Sequence, residues 1–168
     1  MGEDAGACRV TKKLRRLFPK LFGDRYVVTS GRTRRYNCIA WALGRTDAWM
    51  QAPPDGLWPE NVLDDGSVQA AAALFESLGF TPTHIGDVQL KNGIEKLAIY
   101  GDADGYTHVA RQLTNGRWTS KVGELQDIEH ESPDDLTSAV RWIGTNKDTA
   151  YGELKQIMRM DRRLLGRS

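Results

Sequence analysis

Tyr106-Thr107-His108-Val109-Ala110-Arg111-Gln112-Leu113-Thr114-Asn115-Gly116-Arg117-Trp118-Thr119-Ser120-Lys121-Val122 organises the rest of the chain. Asn115-Gly116 is a strong two-residue hairpin signal, because both residues tolerate the positive φ that a tight type I′ turn needs. It splits the stretch into two predicted strands, Tyr106 to Leu113 and Arg117 to Val122. Glu95 to Tyr100 reads as a strand before them. Further out, Ser67 to Leu78 predicts a helix. Val68, Ala71, Phe75 and Leu78 form its apolar stripe, and Gly79 is its stop signal. Asn37 to Leu43 predicts a short helix, capped by Asn37 and closed by Gly44. Val10 to Phe22 spaces Val10, Leu14, Leu17 and Leu21 at helical intervals until Pro19 bends or ends the run. Asp47 to Gly66, with Pro53, Pro54, Pro59, Trp49 and Trp58, reads as an irregular loop pinned by aromatics. Ser132-Pro133 opens a predicted helix through Trp142. Tyr151 to Leu165 is a predicted last helix, with Leu154, Ile157, Met158 and Leu165 roughly on one face. Helices, then an antiparallel meander, then helices imply an α+β domain. A single domain is expected over 1–168, with a loose end at 1–8 and a basic helical segment at 9–25.

The chain has 168 residues, 40% hydrophobic and 27% charged, so wholesale disorder is excluded. Lys+Arg is 23 and Asp+Glu is 22, a net charge of +1, which makes nucleic acid an unlikely partner. The charges are segregated. Lys12, Lys13, Arg15, Arg16, Lys20, Arg25, Arg32 and Arg34 crowd the first part, and Arg159, Arg162, Arg163 and Arg167 the last. Asp64, Asp65, Asp102, Asp104, Asp127, Glu129, Glu131, Asp134 and Asp135 lie between. Either the basic ends pack over this acidic middle, or they form a basic patch that meets an acidic protein partner, a membrane surface or nucleic acid. Apolar stretches such as Ala70 to Leu74 are far short of a membrane span. Nothing near Met1 has the apolar core of a secretory signal. The expectation is a cytoplasmic protein as synthesised, with reduced thiols at Cys8 and Cys38, and with signal-independent delivery open.

Cys38 is the candidate nucleophile. It follows the capping Asn37, so it sits where backbone N–H groups and the helix dipole favour a thiolate, and Arg34 and Arg35 add positive charge. The plainer account is a small core thiol. His108, on a predicted strand, is the natural base for such a thiol; the plainer account is a histidine pairing across a half-buried sheet. The backbone N–H of Cys38 is a candidate oxyanion donor. Trp49 and Trp58 are candidates for the wall of a substrate cleft. His84, His108 and His130 are scattered without a metal motif, and Asp102, Asp104 and Gly105 fail the calcium-loop pattern, so no metal or other cofactor is expected.

Asn37-Cys38-Ile39-Ala40-Trp41-Ala42-Leu43, followed by Thr107-His108-Val109-Ala110-Arg111, resembles the papain-like superfamily of small bacterial thiol hydrolases. The CHAP amidases and NlpC/P60 peptidases are nearest in size and order. Trp118 to Gly123 and Asp127 to His130 are similar to segments of an uncharacterised bacterial family with the same Cys and His blocks. The resemblance spans Tyr36 to His130. It implies a papain-like α+β fold, with N-terminal helices packed on a small antiparallel sheet. It also implies Cys38 as nucleophile, His108 as base, and a third polar residue on a neighbouring strand. The usual spacing lands on Ser120, but a strict Asn115-Gly116 turn pairs His108 with Gly123 and turns Ser120 to the opposite face; a one-residue slip reverses this. His130, Asp127 and Glu124 are better chemical choices, and His130 is taken as the orienter. Asn37, Trp41 and Ser120 are expected beside the substrate, a peptide or peptide-like molecule. The implied reaction is amide hydrolysis through a thioester, acting on a peptide, a cell-wall cross-link or a glutamine side chain. The alternative is a non-catalytic interaction module on the same fold, as in a phage, toxin or defence component.

Overall fold

The structure is a computed structural model that describes residues 12, 14–23, 25–51, 54, 56–123, 125–137 and 151–165. Its centre is a seven-stranded antiparallel sheet. In chain order the strands are β1 (Tyr26–Val28), β2 (Thr81–Thr83), β3 (Ile94–Asp102), β4 (Gly105–Gln112), β5 (Trp118–Lys121), β6 (Asp127–His130) and β7 (Glu153–Asp161). In space they run β1-β6-β5-β4-β3-β7-β2. On one face pack helices α1 (Cys38–Ala42) and α2 (Val68–Ser77). Short 3-10 turns form at Pro133–Leu136 and Arg162–Leu165.

Both sheet faces are covered, as the almost wholly buried β3 requires. One face, with Leu97, Ile99, Val109, Met158 and Met160, packs against Ile39 and Ala40 of α1 and Ala71, Leu74 and Phe75 of α2. The other, with Ala98, Tyr100, Ala110, Trp118, Ile128 and Ile157, packs against Leu14, Leu17, Phe18 and Leu21. Residues 14–17 are helical and Pro19 lies in the turn that follows, as its missing N–H dictates. Ser67 caps α2 by accepting from the Ala70 N–H, and Gly79 ends the run at φ +98°.

This sheet-centred architecture overturns the expected papain-like α+β arrangement of helices on a small sheet with helices following. The decisive difference is at the C-terminal end. The predicted helix from Tyr151 to Leu165 is instead β7, inserted between β3 and β2. A bulge explains the misreading. Ile99 pairs with Gln156 and Tyr100 with Leu154, so Lys155 is an extra residue on β7. The bulge puts Leu154 and Ile157 against one core although they are three residues apart, while Met158 joins the other. The resulting spacing imitates a helical face. Likewise, of the predicted helix from Ser132 only Pro133–Leu136 forms among the described residues, and Thr137 is already extended.

The β4–β5 turn also differs from the two-residue form. Leu113 and Arg117 close it through Leu113 N–H to Arg117 O at 2.7 Å, and Gly116 N–H reaches Leu113 O at 3.0 Å. Only Gly116 takes a positive φ, +87°, while Asn115 Oδ1 accepts from the Arg117 N–H at 2.9 Å. This is a three-residue loop with a glycine at its bulge position. Arg111 therefore pairs with Thr119 and Gln112 with Trp118.

The basic N-terminal part meets the acidic middle of the chain. Lys20 pairs with Asp134 at 2.8 Å, and Arg25 with Asp135 at 2.6 Å and Glu131 at 3.0 Å. No helix among the described residues is long and apolar enough to cross a membrane.

Candidate functional site

Asn37 builds the start of α1. Its backbone is extended, and its Oδ1 accepts from the Ala40 N–H at 3.1 Å and the Met50 N–H at 3.2 Å. Its Nδ2 donates to Met50 O at 2.8 Å. The side chain that the sequence placed beside the substrate is thus engaged in capping the helix and tethering the following loop. Trp41 anchors the same helix to β5: its indole N–H donates to Thr119 Oγ1 at 3.0 Å, and its ring stacks on Tyr36 at 5.5 Å. The Arg111 guanidinium lies 5.6 Å over the Trp41 ring. Trp49 and Trp58 pin the loop between α1 and α2 by donating to Arg34 O and Leu63 O.

Cys38, the first residue of α1, is partly exposed. The N–H groups of Val109, Ile39 and Cys38 itself and the charge of Lys121 all favour the thiolate. Burial among the surrounding groups outweighs them and holds the thiol above its ordinary pKa. The expected thiolate at the helix start is therefore not the resting form. The helix has only five residues, and α1 presses its start against β4 and β5, where desolvation dominates. Cys8 and Glu124 lie outside the described residues.

His108, on β4, is wholly buried and belongs to a four-membered chain. Its Nε2 is 2.9 Å from Ser120 Oγ, and Ser120 Oγ is 2.8 Å from His130 Nε2. His130 Nδ1 is 2.8 Å from the Ser132 carbonyl oxygen. Burial lowers the pKa of both rings, His108 well below the ordinary value and His130 to about 4, so both are neutral at neutral pH.

The proton positions then follow from the ends of the chain. A carbonyl only accepts, so the His130 proton is on Nδ1, which leaves Nε2 bare. Bare Nε2 accepts the Ser120 hydroxyl proton, and the Ser120 oxygen accepts from His108 Nε2–H. The bare nitrogen of His108 is consequently Nδ1, which is buried and has no hydrogen-bond partner.

The structure thus brings together His108, Ser120 and His130, two candidate orienters acting in series. The three-residue turn accounts for it, because the register turns Ser120 to the His108 face. Asp127, the other described candidate, is on the opposite face. It pairs with Lys121 across the β5–β6 ladder and accepts from Tyr36 Oη at 2.6 Å.

Cys38 and His108 approach β4 from opposite faces. α1 packs with Val109 on one face, and His108 lies with Tyr100 on the other, sharing its pairing position. The strand group that favours the Cys38 thiolate is the N–H of Val109, the residue after His108. The paired registers of β4 and β5 run only from Arg111 and Gln112 to Thr119 and Trp118. Towards His108 the two strands are no longer laddered. No thiol–imidazole hydrogen bond is formed in this state, since His108 Nδ1 has no partner.

Three residues near this site escaped the sequence reading. Ser132 contributes only a carbonyl, which has no side-chain signature. Lys121 is wholly buried, with its Nζ donating to Leu125 O and lying 5.4 Å over the Tyr36 ring. Tyr151 stacks flat on His108, at 4.1 Å and 2°. Its role was hidden by the helical spacing of the segment that follows it. Among the described residues, His, Cys, Asp and Glu form no group of three placed to hold a metal ion.

No curated protein and no solved structure matches the chain. The family described as "Domain of unknown function (DUF7689)" matches residues 27–159, which include Cys38, His108, Ser120 and His130, and the chain belongs to that family.

Proposed function

We propose that this protein is a cysteine-dependent hydrolase of amide bonds in peptides or peptide-like molecules. The observation that supports it best is the buried, bare Nδ1 of His108, whose opposite nitrogen is fixed by the Ser120–His130–Ser132 chain. Leaving a buried acceptor unpaired costs about 1–3 kcal/mol, and that cost is intelligible where the nitrogen has a proton to take.

In the proposed reaction a substrate carbonyl enters between Cys38 and the β4 strand. The reaction requires the sulfur and His108 Nδ1 to meet beyond the end of the β4–β5 ladder, where the two strands part; there the Cys38 S–H proton passes to Nδ1 as the sulfur attacks the carbonyl carbon. A raised thiol pKa and a lowered imidazole pKa mean that the resting pair is neutral, so proton transfer accompanies attack. The N–H groups at the Cys38 sulfur are the nearest donors for the developing oxyanion. The Nδ1 proton then leaves with the amine, and a thioester remains on Cys38. Water attacks that thioester and gives its proton to Nδ1; as the C–S bond breaks, Nδ1 returns that proton to the Cys38 sulfur, leaving the carboxylic product, the free thiol and a bare Nδ1. Ser120 and His130 act through His108: they hold Nε2–H and accept part of the imidazolium charge. The rival reading, an interaction module, draws on the raised thiol pKa and the absent thiol–imidazole bond.

p-Nitrophenyl acetate separates the two. A hydrolase of this kind acetylates Cys38, seen as a mass increase mapped to the peptide containing it. Cys38→Ser abolishes that increase, and His108→Ala slows it by a factor of about a hundred or more. Acetylation that ignores His108 leaves the interaction module as the better account.

A further inference from the structure

We propose that Tyr151 is a positioning residue for His108, clamping the imidazole plane so that Nε2 stays on Ser120 and Nδ1 stays free. The inference rests on the hydrolase reading for its purpose, but its geometry stands alone. The two rings are parallel within 2° at a centroid separation of 4.1 Å, whereas Tyr100 meets His108 at 5.4 Å and 51°. Only a coplanar neighbour at that spacing resists rotation of the imidazole about its Cβ–Cγ bond, because any turn drives the ring edge into the phenol face.

Tyr151 is itself held from three sides. Thr107 Oγ1, one residue before His108, donates to the Tyr151 carbonyl at 2.5 Å. The next residue, Gly152, has φ +72° and lies so close to β3 that a Cβ there would stand 2.5 Å from Gly101 O. Phe18 backs the phenol ring at 4.9 Å. Thr107 is the extra residue of a bulge on β4, since Tyr100 pairs with His108 and Gly101 with Tyr106. That bulge adds a hydroxyl anchor beside the histidine, which a regular ladder at this point would not supply. A flipped imidazole would give Ser120 a carbon instead of Nε2–H and would leave the Ser120 oxygen without its donor.

The test compares Tyr151→Leu, Tyr151→Phe and Thr107→Val by two readouts. Long-range 1H–15N NMR of the imidazole reports which nitrogen of His108 bears the proton. Mass spectrometry reports the rate of Cys38 acetylation by p-nitrophenyl acetate. Tyr151→Leu is expected to give a mixed tautomer signal and acetylation slower by about tenfold or more. Tyr151→Phe keeps the ring and is expected to rescue the single tautomer and the rate. Thr107→Val removes only the anchor, so it is expected to shift both readouts in the direction of Leu but by less. If Tyr151→Leu does not fold, Thr107→Val carries the test. A folded Leu or Val variant with the wild-type tautomer and rate overturns the inference. A wild-type protein that shows the single tautomer but no His108-dependent acetylation instead overturns the hydrolase reading and leaves the clamp standing.

Discussion

Ser120 lies on the same face of the sheet as His108, with its hydroxyl oxygen 2.9 Å from the imidazole Nε2. The relationship is set in the β4–β5 turn, which holds three residues rather than two. One residue fewer in that loop would turn every side chain of β5 over. The hydroxyl is well suited to its place because it both donates and accepts, so it passes a fixed proton order from His130 to His108.

Replacing Ser120 with Ala is predicted to leave His108 Nε2–H and His130 Nε2 facing each other across a gap, both buried. The expected loss is about 1–3 kcal/mol of stability, from unpaired buried groups. Urea unfolding at pH 7.5 measures it. The same variant should show a mixed His108 tautomer, since nothing then fixes Nε2 as the protonated nitrogen. A Ser120→Ala protein as stable as wild type would mean that the chain contributes nothing to the fold.

Acid should destabilise the protein through both histidines. Burial lowers the pKa of His108 and His130, the latter to about 4, from the ordinary 6.5. Between those values the unfolded chain binds protons that the folded one refuses, so stability rises with pH there. The contribution is complete above pH 6.5 and is lost as pH falls towards 4. Each histidine adds a slope of up to about 1.4 kcal/mol per pH unit inside that window. Urea titrations at half-unit intervals from pH 7.5 to 4.5 give the slope. His130→Asn should flatten it, and a profile that stays level in the wild type would contradict the buried, neutral assignment.

Much of the site's neighbourhood was legible because it is local. Asn37 as a cap, Ser67 to Leu78 as a helix and the strands on either side of Gly116 each rest on a handful of adjacent residues. What was not legible depends on pairing across the sheet. The Lys155 bulge makes Leu154 and Ile157 share a face, so β7 carries a helical spacing and the fold was misassigned. The register at Ser120 depends on whether Asn115 takes a positive φ, which composition leaves open. The raised thiol pKa reflects how closely α1 is pressed to the sheet, a packing term that no motif reports.

Asn37→Ala should cost more than an ordinary cap. It removes the acceptor for the Ala40 N–H and both bonds to Met50, so one substitution frees the helix start and the following loop together. A cap alone is worth about 1 kcal/mol, and buried partners left unpaired at Met50 add about 1–3. Thermal melts of Asn37→Ala and Asn37→Asp distinguish the parts, because Asp keeps the acceptor but loses the donor to Met50 O. Equal melting points for wild type and Ala would show that α1 is held by Trp41 and its apolar face instead.

The last prediction concerns the charge beside the thiol. Lys121 has no solvent exposure, and its ammonium favours the Cys38 thiolate while burial opposes it. Lys121→Met keeps most of the stem that packs on Tyr36 but deletes the charge. The thiol, already above its ordinary value, should then titrate still higher. Thiolate absorbance near 240 nm, with Cys38→Ala as the blank, follows the titration directly. Iodoacetamide labelling mapped to Cys38 should fall in parallel at pH 8 and converge with wild type at high pH, where both thiols are ionised. Circular dichroism of the variant separates this effect from unfolding, which would expose the thiol and lower its pKa towards the ordinary value. The two outcomes have opposite signs, so a downward shift in a folded Lys121→Met protein would remove Lys121 from the electrostatics of the site.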